Sequence, residues 1–162
     1  MVISNVDEKS PADGLCIPGD ILVEINGKVV SDRRRFSAYS NGLVAGENVR
    51  FKISRDGTFK SVSLVSTDYP FDRVADLCWE LLGIQIDSVK QDGGTVVTRV
   101  DSRRGAGSIG MHVGDFIYQV GDRETRTKKQ FYEALIRYRN ASSVFMVIGR
   151  NRYAYRVTIP IA

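Results

Sequence analysis

The sequence predicts a mainly β fold with short helices, built as two partly open β-barrels in tandem, each capped by two helices. The first observation is that "PGDILVEINGK" at 18–28 and "VGDFIYQVGDR" at 113–123 share one order: a Gly-Asp pair, an apolar strand and a turn. The second is that a shift of 95 residues aligns 19–64 with the second half without a gap. The third is that each half closes with a helical pattern and a hairpin. A repeat of this size is typical of two small domains.

The opening segment of the first copy predicts a helix followed by a strand. Ser10 is a favoured N-cap, and Pro11 suits the first helical position. After Gly19-Asp20, "ILVEI" is a short apolar strand, and Asn26-Gly27 is a tight-turn signal.

A longer helix follows in each copy. In the second copy Thr127 and Gln130 have capping-box spacing, and the apolar face recurs at helical intervals. In the first copy Asp32 takes the cap position, while Ser40 and Asn41-Gly42 predict a weaker, shorter helix. The predicted faces are Phe131, Ala134, Leu135 and Tyr138 in the second copy, and Phe36, Tyr39, Ser40 and Leu43 in the first.

Each copy ends in a hairpin, and a distinct segment joins the copies. The hairpin turns are Asp56-Gly57 and Asn151-Arg152.

The predicted boundaries are 1–67 for domain 1, 68–80 for a linker with a short helix, and 81–162 for domain 2. "LLGIQIDSV" is predicted as a strand, which Asp92-Gly93-Gly94 turns back into "TVVTRV". The linker helix would place Phe71, Val74, Ala75 and Cys78 on one face.

Composition and charge narrow the functional classes. Hydrophobic content of 43% with 26% charged residues is typical of globular domains, and the net charge of +4 is spread along the chain. Nucleic-acid binders usually show a denser basic stripe, so nucleic acid is disfavoured as a partner.

No apolar run reaches a membrane-spanning length, and no secretion signal is visible. Cys16 and Cys78 lack metal-ligand spacing and are predicted to be buried thiols, so no metal or cofactor is expected.

The residues carry a family resemblance. "SPADGL", "PGDILVEINGK", a helix and then "V.F.I.RDG" together resemble a PDZ domain in the circularly permuted form of bacterial proteases. Two such modules resemble the C-terminal region of the HtrA/Deg family of trypsin-like serine proteases. The resemblance implies a periplasmic or cell-envelope protein of protein quality control, with a protease domain upstream in the same chain. Its partners would be C-termini or exposed hydrophobic segments of unfolded proteins.

The stretch Leu81-Leu82-Gly83-Ile84 resembles the carboxylate-binding loop of PDZ domains. A C-terminal carboxylate needs converging backbone N–H donors, and glycine permits that close approach. The resemblance implies that a peptide pairs with the edge strand 84–88, between a wall of Leu82, Ile84 and Ile86 and a wall of Phe131 and Leu135. The alternative is an ordinary core strand beside an amphipathic helix.

Two departures from the family pattern qualify that resemblance. Leu81 stands where the commonest PDZ loop has glycine. The equivalent loop of the first copy would precede Val2, so domain 1 is predicted to lack its carboxylate-loop strand.

The chain itself is not predicted to be an enzyme. Trypsin-like chemistry needs a serine nucleophile, a histidine base and an aspartate. His112 is the single histidine, and no nucleophile elbow follows "GAGSIG" around Ser108. The leading interpretation is therefore the non-catalytic part of a serine endopeptidase. The alternatives are a stand-alone PDZ scaffold, or a purely structural tandem whose grooves are closed by neighbouring segments.

Overall fold

A computed structural model describes residues 1–89 and 94–161 and divides the chain into two compact units, Met1–Asp68 (unit 1) and Tyr69–Ala162 (unit 2). Each unit is built around one antiparallel sheet with short helices, which confirms the predicted fold class. In the part of the chain that the structure describes, no helix has the length and apolarity needed to cross a membrane.

Unit 1 contains one helix and a four-stranded sheet. Its strands lie in the order β2-β1-β3-β4. Residues 1–3 run antiparallel to the start of β1, through Ile3 N–H to Asp20 O and Leu22 N–H to Met1 O, both 2.8 Å. The elements are β1 (Ile21–Ile25), β2 (Lys28–Val29), α1 (Arg33–Ser40), β3 (Asn48–Arg55) and β4 (Thr58–Val65).

Unit 2 contains a six-stranded sheet. The strands lie in the order β10-β9-β7-β6-β5, with β8 beside β7, so β5 and β10 are its two edges. The turn predicted at Asp92-Gly93-Gly94 lies mostly outside the described residues. Gly94 is the first residue of β6, and Asp92 and Gly93 are not described. The elements are a 3₁₀ turn (Phe71–Arg73), α2 (Val74–Leu82), β5 (Ile84–Val89), β6 (Gly94–Val100), α3 (Gly105–Ser108), β7 (Phe116–Val120), β8 (Arg123–Glu124), α4 (Lys128–Tyr138), β9 (Ser143–Arg150) and β10 (Tyr153–Pro160).

An equivalent ion pair, between a buried carboxylate and a partly exposed arginine, occurs in both units. Arg55 donates to Asp20 through Nε (2.7 Å) and Nη2 (2.8 Å), and Arg150 donates to Asp115 through the same atoms (both 2.6 Å). Each carboxylate also accepts a backbone N–H, from Ile17 or His112. The pair fastens the loop before β1 in unit 1, or β7 in unit 2, to the end of the neighbouring strand, β3 or β9.

The helix caps formed as predicted, and the shorter first helix is confirmed. Asp32 accepts from Arg35 N–H at 2.9 Å and Thr127 from Gln130 N–H at 3.2 Å. Helix α1 has 8 residues and α4 has 11. Cys16 and Cys78 are buried free thiols, as expected.

Two segments differ from the prediction. Residues 10–15 form successive turns instead of a helix, because Gly14 adopts a left-handed φ of 72° that ends the helical path. The helix expected within the 68–80 linker extends to Leu82 and packs into the core of unit 2 through Val74, Leu77 and Cys78, whereas Phe71 and Ala75 are exposed.

The tip of the second hairpin carries a backbone strain that can be relieved. Arg152 has a φ of 70°, where the equivalent turn of unit 1 has Gly57 at 78°. A left-handed backbone costs a non-glycine residue about 1 kcal/mol. We expect Arg152→Gly to raise the free energy of unfolding of unit 2 by about that amount in urea denaturation. No gain would show that the Arg152 side chain makes compensating contacts.

Candidate peptide-binding site

The predicted groove lies between the edge strand β5 and helix α4. The start of α4 is tied to the end of β5, because Lys128 N–H donates to Ser88 Oγ at 3.3 Å and Lys128 Nζ lies 3.9 Å from Asp87 Oδ1. Contacts between α4 and β5 therefore hold the two walls in register.

The predicted carboxylate loop is the junction of α2 and β5. Leu81 and Leu82 form the last turn of α2, and Gly83 ends it with φ 73° and ψ 29°. The Gly83 N–H donates to Trp79 O at 3.0 Å, and Gly83 O accepts from Asp101 N–H at 2.8 Å. The left-handed glycine reverses the chain so that Ile84 enters the sheet directly.

Arg104 supports this junction. Its Nη1 donates to Glu80 O at 3.0 Å and to Trp79 O at 3.2 Å, which satisfies carbonyls at the end of α2. A Cβ on Gly83 would collide with the Arg104 side chain. The Arg99 guanidinium lies 4.4 Å from the centre of the Trp79 ring. Sequence reasoning missed both arginines, because they act over a distance in the chain that no local pattern reveals.

The structure gathers the predicted wall residues into one core. Leu82, Ile84, Phe131 and Leu135 are completely buried and Ile86 is 4% exposed, while the half-buried Leu81 packs at the margin. These side chains form a continuous cluster with Val74 and Cys78 of α2. Residues that would line a pocket for a peptide side chain therefore face other parts of unit 2.

Helix α2 lies against both walls of the groove. It contacts β5 and α4. The Cys78 thiol donates to Ile84 O at 3.2 Å, and the Phe71 ring meets Tyr132 edge-on with centroids 5.8 Å apart. Burial raises the pKa of Cys78 to about 12, so the thiol keeps the proton that it donates. In this structure α2 therefore contacts both elements that would form the predicted groove.

Other surface features of unit 2 stand apart from the groove residues. An open depression of about 600 Å³ at the tip of the second hairpin is lined by Phe116, Tyr118, Arg152 and Tyr153, among others. The Ser108 hydroxyl donates to Gly105 O at 2.9 Å, and His112 is exposed. Among the described residues, no three His, Cys, Asp or Glu side chains converge as metal ligands would.

Comparison with known proteins supports the predicted resemblance. Residues 1–65 match the PDZ domain family. Over 176 aligned positions the chain is 23% identical to a probable periplasmic serine endoprotease, DegP-like, of Halomonas elongata. That alignment covers 99% of this chain and 37% of the relative, so the chain spans little more than a third of the relative's length.

Proposed function

From the PDZ match of unit 1 and the similarity of nearly the whole chain to a DegP-like endoprotease, we propose that this chain is the peptide-binding, regulatory PDZ region of an HtrA-type serine protease. The catalytic domain lies upstream in the same polypeptide, in the periplasm or cell envelope. Unit 2 captures C-termini or exposed hydrophobic segments of unfolded proteins by adding them as a strand to β5.

The observation that carries this proposal is the junction of a left-handed glycine with an edge strand. Gly83 directly precedes β5, which among the described residues pairs on one side only, with β6. Strand addition needs such an edge, since main-chain hydrogen bonds supply much of the affinity. Side-chain selectivity comes from the apolar groups of Ile84, Ile86, Phe131 and Leu135 beneath the entering chain.

Peptide binding at this groove depends on the position of helix α2. A peptide and α2 compete for the same two walls, so binding requires α2 to withdraw from β5 and α4. The apparent affinity is then lower than the intrinsic affinity by the fraction of molecules with an open groove. Contacts that hold α2 in place weaken peptide binding, and their removal strengthens it.

A peptide titration of Phe71→Ala tests this function. Phe71 is 46% exposed and contacts Tyr132, so its removal loosens α2 with little loss of core. We expect a peptide with a free hydrophobic C-terminus to shift the amide resonances of Ile84–Val89, and to bind Phe71→Ala several-fold more tightly than the wild type. Phe59→Ala, at an exposed phenylalanine of unit 1, is the matched control and leaves the affinity unchanged.

The amidated form of the same peptide tests carboxylate capture. Loss of binding on amidation is expected, and equal binding of both forms would refute capture of a C-terminus. Phe131 and Leu135 are unsuitable for this purpose because both are fully buried, so their replacement tests folding first.

A second candidate function is purely structural, and the position of α2 over the groove favours it. In that case α2 is a permanent part of the unit 2 core, and neither the wild type nor Phe71→Ala binds any peptide. The titration separates the two functions.

A further inference from the structure

The edge of the sheet opposite β5 also has unused hydrogen-bonding groups. Arg150 and Tyr153 flank the two-residue turn and pair with each other, and the register continues to Pro160 without a bulge. Hydrogen-bonded and non-hydrogen-bonded pairs alternate along an antiparallel ladder. The hydrogen bond from Ile161 N–H to Ser142 O, at 3.0 Å, falls at a position that this alternation assigns to a hydrogen-bonded pair when it is counted from Arg150 and Tyr153. The amides of Ala154, Arg156 and Thr158 therefore point away from β9, and no described segment pairs with them.

The open part of this edge has definite limits. The hairpin turn bounds it at one end. At the other end α3 covers it, since a Cβ on Gly105 would collide with Pro160 O. Residues 154–158 of β10, called here the β10 edge, remain open with three N–H donors.

The sequence of β10 does little to protect this edge. Exposed edge strands are usually guarded by lysine, proline or bulges. Strand β4, the counterpart in unit 1, carries Lys60, Ser61 and Ser63. Strand β10 instead reads "YAYRVTIP", which is rich in aromatic and β-branched residues that favour strand pairing, and its proline comes only at the covered end. Tyr153 and Tyr155 are 69% and 45% exposed.

Basic side chains predominate in the sequence around the β10 edge, and the nearby Asp115 is paired with Arg150. Residues 134–162 contain no Asp or Glu and five arginines. Arg150 is held by Asp115, but Arg152 and Arg156 form no ion pair among the described residues and are exposed. A second copy of β10 added antiparallel about Arg156 would place two like charges opposite each other, which destabilises a strand pair. The edge is therefore complementary to an acidic strand.

We propose that the β10 edge is a second strand-addition site, which takes an extended polypeptide segment carrying acidic side chains. Main-chain hydrogen bonds form with Ala154, Arg156 and Thr158, while acidic side chains meet Arg152 and Arg156. The site needs no free C-terminus and lies at the opposite edge of the sheet from β5. It therefore stands independently of the peptide capture proposed above.

The test uses the whole chain and a synthetic octapeptide, acetyl-TEVEIEVT-amide, with acetyl-TKVKIKVT-amide as its charge-reversed partner. We expect the acidic peptide to shift the amide resonances of Ala154, Arg156 and Thr158 and to slow their hydrogen exchange. The resonances of Ile84–Val89 stay unchanged. The lysine peptide binds at least about tenfold more weakly, a difference of about 1.4 kcal/mol.

Three variants sharpen the test. Arg156→Glu is expected to weaken binding of the acidic peptide about tenfold or more. Arg137→Glu makes the same charge change on the exposed side of α4 and leaves the affinity nearly unchanged. Thr158→Pro removes one of the three outward N–H groups without removing a bond to β9, because proline is tolerated on an edge strand, and is expected to weaken the exchange protection of Ala154 and Arg156.

Five results would overturn the proposal. Three are an absence of binding, shifts confined to β5 and α4, and equal binding of the two peptides. The fourth is a concentration-dependent shift at the β10 edge without peptide, which would identify a second copy as the occupant. The fifth is a decathymidylate that binds with the affinity of the acidic peptide, since the site would then recognise polyanions rather than a strand.

Discussion

Arg150→Ala lowers the free energy of unfolding of unit 2 by about 2 kcal/mol, less than the loss for a fully buried ion pair because the Arg150 side chain is 31% exposed and partly screened by water. The Asp115 side chain is 2% exposed and accepts two bonds from Arg150, so the variant leaves a buried carboxylate with one backbone N–H donor, from His112. The arginine also donates to Gly110 O at 2.7 Å, and that bond is lost as well.

The fluorescence of Trp79 allows the unfolding of unit 2 to be measured separately from that of unit 1. It is the single tryptophan and belongs to α2 of unit 2, so its fluorescence in urea follows that unit. Arg55→Ala, which breaks the equivalent pair of unit 1, is the matched control and leaves the Trp79 transition in place. An unchanged transition in Arg150→Ala would show that the pair adds nothing to stability.

The same variant changes the response to acid. Burial alone would raise the pKa of Asp115, but the hydrogen bonds and charge of Arg150 and the His112 N–H outweigh it and lower the pKa. In unit 1 the hydrogen bonds from Arg55 lower the pKa of Asp20 to about 2. A lowered folded-state pKa gives stability above the unfolded value of about 4 that is lost as the pH falls through the folded value. Arg150→Ala therefore flattens this acid dependence in unit 2 only.

Gly83→Ala lowers the free energy of unfolding of unit 2 by about 2 to 4 kcal/mol and displaces the junction of α2 and β5. The left-handed φ of 73° contributes about 1 kcal/mol. The collision of the new methyl group with the Arg104 side chain contributes about 1 to 3 kcal/mol more, as overpacking does elsewhere. Urea denaturation followed through Trp79 measures the total.

Gly110→Ala separates the two contributions. Gly110 lies in the same unit with a φ of 86°, and a Cβ there would meet open space. We expect it to cost only the backbone strain. Equal losses in the two variants would show that the contact with Arg104 exerts no steric constraint on the junction.

The fold was predictable where a local backbone conformation requires a particular type of residue. Asn26-Gly27 and Asp56-Gly57 adopt the positive φ angles that their tight turns need. Thr127 and Asp32 cap helices because their side chains reach the backbone N–H three residues on. The repeat also aligned Asp20 with Asp115 and Arg55 with Arg150, although that alignment alone did not reveal the ion pairs.

The surroundings of β5 and α4 were harder to predict because they depend on distant segments. Periodicity put Phe131 and Leu135 on the inner face of α4, and both are buried there. It could not show that α2 would cover that face, because the apolar stripe of α2 fits either a free linker helix or a core helix. The Arg104 contacts escaped prediction for a similar reason, since they join residues 24 and 25 positions apart.

The position of α2 over β5 and α4 also has a kinetic consequence. If a peptide enters only after α2 has withdrawn, the observed association rate rises with peptide concentration at first and then levels off at the rate of helix opening. Brief encounters with folded proteins, whose termini are only transiently presented, would then seldom coincide with an open groove. A persistently unfolded chain would remain available through many openings, so the helix would select partners by how long they stay exposed.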